Sequence, residues 1–118
     1  MIEKNLDITT ADGAMNSFVV YPEEGGPWPL VLFYMDAPGK REELHDMARR
    51  IAAVGYYVVL PNLYYRQSRD FTLGARDDAS MAVMFGFMNH LSNELVVRDT
   101  EAMLQFAERQ PEADAQRV

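Results

Sequence analysis

The segment Met35-Asp36-Ala37-Pro38-Gly39 sets a carboxylate beside a Pro-Gly turn at the end of an apolar run, Leu30 to Tyr34. Ligands of open α/β sheets bind just outside the carboxyl ends of the strands, so this loop is a candidate piece of an active site, with Met35 as a candidate substrate-pocket residue. The plainer reading, in which Asp36 only solvates the start of the following helix, stays open. A second loop, Tyr64-Tyr65-Arg66, follows another apolar run, Tyr56 to Leu60, and Pro61. It can line a pocket through Tyr64 and present Arg66 or Arg69 to an anionic substrate. Equally, the tyrosines can pack the loop while Arg66 pairs with a nearby acid.

What would complete a hydrolytic site is missing from the pattern. A serine nucleophile in an α/β sheet needs the strained G-x-S-x-G turn that lifts its hydroxyl above the sheet. None of Ser17, Ser68, Ser80 and Ser92 lies in one, and each reads as a turn, strand or cap residue. The chain has no cysteine. His45 and His90 have no serine at a spacing that suggests a nucleophile and base pair, and both read as surface imidazoles. Asp77 and Asp78 lack a partnering His or Glu cluster, so they read as a helix start rather than a metal site. Neither a metal nor a cofactor is expected.

The elements that must position these residues follow from length and periodicity. A chain of 118 residues allows one domain, 1–118, whose folding removes roughly two-thirds of its extended-chain surface from water. A formal charge of −7 without a basic cluster argues against a nucleic-acid partner. No apolar run approaches the roughly 18 residues of a membrane span, and the first residues carry acids where a signal peptide has a basic head. A soluble, cytoplasmic chain with no membrane partner is the expectation.

Glu3 to Thr10 and Met15 to Tyr21 alternate around Ala11-Asp12-Gly13, the pattern of a hairpin. Pro22 to Pro29 reads as an exposed loop with Trp28 folded back over apolar surface. Leu30 to Tyr34 and Tyr56 to Leu60 are apolar without alternation, as expected of parallel neighbours covered on both faces. Between them Leu44, Met47, Ala48, Ile51 and Ala52 form a helical stripe, with Arg41, Glu42, Glu43, Asp46, Arg49 and Arg50 mostly toward water and Gly55 as the left-handed stop. Asp77 to Leu91 predicts a helix with Met81, Met84, Phe85 and Met88 on one side, either core or an adaptable apolar pocket. Ser92 caps a last helix whose stripe is Leu95, Val96, Ala102, Met103, Phe106 and Ala107. The tail from Glu112 to Arg117 reads as a polar loop, and Val118 as the first residue of a further strand.

The hairpin, the apolar strand, the D-A-P-G loop, the helix ending in A-A-V-G-Y and the run Pro61-Asn62-Leu63-Tyr64-Tyr65-Arg66 together resemble the dienelactone hydrolase family of α/β-hydrolases. The resemblance covers nearly the whole chain and the N-terminal half of the family's domain. It implies an α/β fold, the N-terminal half of an α/β-hydrolase: a mixed, mostly parallel sheet with an antiparallel N-terminal hairpin and flanking helices, stopping before the nucleophile elbow. It implies cleavage of a small-molecule carboxylic ester or lactone by a Cys or Ser, His, Asp triad that lies beyond this chain. By the same resemblance Ala37 supplies one oxyanion N–H, typically worth about 3 to 4 kcal/mol in the transition state, and Asp36 the carboxylate that contacts the nucleophile. Asp36 is one methylene shorter than the family's usual Glu. The arginine with which the family's lactone hydrolases hold a substrate carboxylate has no counterpart in Asp77 to Leu91, so a carboxylated dienelactone is not the expected substrate. The family's strand order leaves the outer edge of Leu30 to Tyr34 unpaired, which invites self-association. The alternative class is a non-catalytic remnant or interaction module with half of the fold.

Overall fold

The computed structural model describes residues 1–118. Strands β1 (Ile2–Thr10) and β2 (Gly13–Tyr21) form an antiparallel hairpin whose register runs from Ile2 opposite Tyr21 to Thr10 opposite Gly13. Asp12 N–H donates to Thr10 Oγ1 at 3.1 Å, and Gly13, at φ +139°, takes a backbone angle that side chains resist. β2 pairs antiparallel with β4 (Tyr57–Pro61), and β4 pairs parallel with β3 (Trp28–Leu32). A two-residue strand, β5 (Ala113–Asp114), lies parallel on the other side of β3, so the sheet order is β1-β2-β4-β3-β5.

Two apolar layers hold the sheet. On one face helix α1 (Glu42–Ala53) lays Leu44, Ala48 and Ala52 on Phe18, Val20, Val58 and Leu60. On the other, a C-terminal helix of residues Asn93–Glu108 lays Met103, Phe106 and Ala107 on Met15, Val19, Tyr57 and Val59. Successive residues of β4 therefore feed opposite layers, as the pleat requires, and all five are buried. A strand covered on both faces has no polar face, which is why its sequence does not alternate. Gly55 follows α1 at φ +105°, the left-handed stop expected of it. No helix is long and apolar enough to cross a membrane.

Several expectations are corrected. Met47 is 42% exposed, because the stripe is centred on Leu44, Ala48 and Ala52 and Met47 lies about 60° behind Leu44 around the helix. Arg41 is drawn inward by Asp36 instead of facing water. The helix α2 (Asp78–His90) starts where expected, with the Asp77 carboxylate accepting the Ser80 N–H at 2.7 Å. Of its expected apolar side only Met84 is buried, while Phe85 and Met88 are exposed. Phe87 turns instead onto Tyr64 and Phe71, at ring-centroid distances of 5.3 and 4.9 Å. That helix is apolar nearly all round, so its spacing does not single out one buried face.

The tail is also more ordered than its polarity suggests. Trp28 N–H donates to Glu112 O and Leu30 N–H to Arg117 O, both at 2.8 Å, in addition to the pairing of β5 with Trp28 and Pro29. The outer edge of β3 is thus occupied as far as Leu30, the first residue of the edge expected to be open. The pairing is carried by backbone groups, to which polar side chains are no obstacle.

Candidate functional site

Because β3 and β4 are parallel, the loops that follow them emerge at the same end of the sheet. The first, residues 33–41, closes on itself through Gly39 N–H to Asp36 O at 3.0 Å, with Gly39 at φ +97°. A Cβ on Gly39 would stand 2.6 Å from Phe71 O, so only glycine lets the two loops meet this closely. Three further hydrogen bonds join them: Leu73 N–H to Pro38 O at 2.9 Å, Thr72 Oγ1 to Lys40 O at 3.1 Å, and Tyr64 Oη to Ala37 O at 2.9 Å. The last brings together two of the residues singled out by sequence. Burial, and then the charge of Asp36, pushes the Tyr64 phenol up, so its hydroxyl stays protonated and donates. With its carbonyl held in this way, Ala37 has an N–H that donates to no group of the chain.

Asp36 is not solvating the helix start. Its carboxylate takes a two-pronged ion pair from Arg41, Nη1 to Oδ1 at 2.5 Å and Nη2 to Oδ2 at 3.2 Å, and Arg41 Nη1 also donates to Gly39 O at 2.9 Å. The Arg41 hydrogen bonds, with its charge, hold the Asp36 carboxyl below the usual carboxylate range. Asp36 is therefore ionised at neutral pH, with its side chain 56% exposed. Met35 is half-buried against the α1 side of the core.

Arg66 is committed elsewhere. It donates to both carboxylate oxygens of Asp99, at 3.0 and 2.8 Å, and through Nε to Asp12 at 2.9 Å, while its guanidinium lies 4.6 Å from the Tyr65 ring centroid. Asp99 belongs to the C-terminal helix, labelled α3 (Asn93–Glu108), and is completely buried. Tyr65 Oη donates to Asp99 Oδ1 at 2.8 Å, its phenol pushed up to about 12, chiefly by burial. Asn62 pins the start of the same loop to β2, donating to Asn16 Oδ1 at 3.0 Å and to Ser68 O at 2.8 Å. Asp99 escapes a reading by residue type, although its place offers a signal: it occupies a position where the Leu95 to Ala107 stripe calls for an apolar residue.

No serine hydroxyl bonds to a histidine. Ser17 donates to Met15 O, Ser68 to Asp70, and Ser92 caps α3 by accepting Leu95 N–H at 3.2 Å. No group of three or more His, Cys, Asp or Glu is placed to hold a metal. His90 is exposed, but His45 is not the surface imidazole expected: its side chain is 15% exposed and stacks on Phe18 at 4.3 Å. Its Nδ1 lies 3.0 Å from Glu42 Oε2, and its Nε2 is buried without a partner. Burial, and then the charge of Lys40, holds its pKa below the usual value. Between the unfolded value near 6.5 and the lower folded one, the unfolded chain binds more protons, so stability is full above pH ~6.5 and falls as pH drops. The melting temperature should fall from pH 7 to pH 5, and His45→Gln should flatten that part of the profile; an unchanged slope in the variant would assign it to other groups.

Comparison with known proteins identifies the fold and the family. The sequence model of the dienelactone hydrolase family matches residues 15–118. A Methylorubrum extorquens protein with a provisional carboxymethylenebutenolidase name is 29% identical over 118 residues, covering 100% of this chain and 39% of its own length. The carboxymethylenebutenolidase of Pseudomonas putida is 23% identical over 111 residues, covering 94% of this chain and 47% of its own. Among solved structures, that of a provisionally named dienelactone hydrolase from Klebsiella pneumoniae superposes with a TM-score of 0.83 at 25% identity, over 98% of this chain and 47% of that one. The chain spans less than half the length of each of these relatives, and its sheet and helices are those of the N-terminal half of the fold. The chain belongs to the dienelactone hydrolase family.

Proposed function

We propose that these residues supply the sheet and one oxyanion donor of a carboxylic ester or lactone hydrolase, whose nucleophile, acid and histidine are provided by residues outside this sequence. The observation that carries the reading is Ala37, whose carbonyl is fixed by Tyr64 and whose N–H is left free at the carboxyl end of a central parallel strand. When a nucleophile attacks the carbonyl carbon of the substrate, the carbonyl oxygen gains negative charge, and a donor already in place stabilises it without reorganisation. In this reading Asp36, ionised and with its side chain 56% exposed, accepts a hydrogen bond from the nucleophile; the support is that Arg41 keeps it charged in the same turn as Ala37. The names of the relatives support a small ester or lactone as substrate.

The test is made in a protein that combines these residues with the nucleophile-bearing half. Asp36→Ala should lower kcat roughly 10- to 1000-fold with little change in KM, the pattern of an interaction made in the transition state. Equal activity in the variant would leave the loop as an entry turn to α1 and nothing more.

A further inference from the structure

We propose that a polar pocket beside the candidate loop, on the hairpin side, is a binding site for a small monocarboxylate, with Lys40 as the group that holds its charge. The pocket has a volume of about 230 Å³ and is lined by Asn5, Asp7, Asn16, Lys40 and Arg69 among others. That is room for about seven waters, or a ligand of a few heavy atoms. Its floor is the hairpin: Asp7 lies opposite Asn16 in the register, and Asn5 opposite Phe18, so these side chains share the face that α1 covers further along.

The charges inside do not balance. Arg69 is satisfied, donating to Asp7 at 2.6 Å and to Ala14 O at 3.0 Å. Asn16 is also used, donating to Arg69 O at 2.7 Å and accepting from Asn62 at 3.0 Å. Lys40 has no acid within ion-pair reach. The opposite charge that acts on it is Glu42, which is itself engaged by Arg49 at 2.6 Å and by His45 at 3.0 Å. Half-buried, the ammonium loses hydration without gaining a partner, and its positive charge also acts on the buried imidazole of His45. An anion entering the pocket meets this unpaired ammonium and the Asn5 side chain. Asp7 on the same floor repels a dianion more than a monoanion, which favours carboxylate over phosphate. The site is independent of hydrolysis at Ala37.

The test titrates the 118-residue chain with acetate while amide signals are followed by NMR, against chloride at equal ionic strength. Saturable shifts centred on Asn5, Asn16 and Lys40 are expected with acetate and not with chloride. Lys40→Met should weaken them tenfold or more, and Lys4→Met, at the other lysine, should leave them unchanged. Should Lys40→Met fail to fold, reductive methylation of the native chain keeps the question open to decision: acetate should slow modification of Lys40 and not of Lys4. Affinity within twofold in Lys40→Met, the same shifts with chloride, or equal protection of both lysines would overturn the site.

Discussion

Replacing Asp99 by Ala is expected to lower the unfolding free energy by about 3 to 5 kcal/mol, the usual cost of removing one partner of a buried ion pair. The substitution leaves the Arg66 guanidinium and the Tyr65 hydroxyl without their shared acceptor inside the fold. Against a typical total of about 5 to 15 kcal/mol, the loss is roughly a fifth or more of the stability. For a chain of this size it should lower the melting temperature by roughly 10 to 25 °C. Arg66 keeps Asp12 and Tyr65 keeps Thr10 Oγ1 as partners, so the effect belongs to the buried charge-assisted bonds lost with Asp99, and Asp99→Leu combined with Arg66→Leu should recover most of it. Thermal unfolding of the two variants beside the unmodified chain measures this; a change under about 1 kcal/mol in Asp99→Ala would show that the pair does not tie α3 to the loop after β4.

How far the fold could be read depended on whether a signal was local. The hairpin was legible because Glu3 to Thr10 and Met15 to Tyr21 alternate about a short turn, and the central strand Tyr57–Pro61 because both of its faces are buried. Helix α2 was placed correctly, but its buried side was not, since Met81, Val83, Met84, Phe85, Phe87 and Met88 leave no polar face to exclude. Strand β5 has no side-chain signature, because its pairing with Trp28 and Pro29 is made by the backbone.

In the candidate site, Asp36 and Ala37 were legible from their place after an apolar strand. The group that fixes them was not. Tyr64 reaches Ala37 across 27 positions of sequence, and Asp99 reaches Arg66 across 33, distances over which spacing carries no information. Arg41 was misplaced for a related reason: its residue type argues for water, and only the geometry of the turn shows that Asp36 and Gly39 O draw it in. The family resemblance suggested a role for Ala37, and the structure shows what its residue type cannot: a held carbonyl and a free N–H.

The most direct test is hydrolysis of p-nitrophenyl esters and of a simple lactone by the purified 118-residue chain, beside its Asp36→Ala variant. An oxyanion donor stabilises only charge that a nucleophile has created, and here no serine bonds to a histidine and no cysteine is present. The account predicts that both proteins hydrolyse at the same rate as buffer, with no burst of released nitrophenol. A saturable rate in the unmodified chain, titratable with an active-site reagent, would contradict it and would place a nucleophile among these residues.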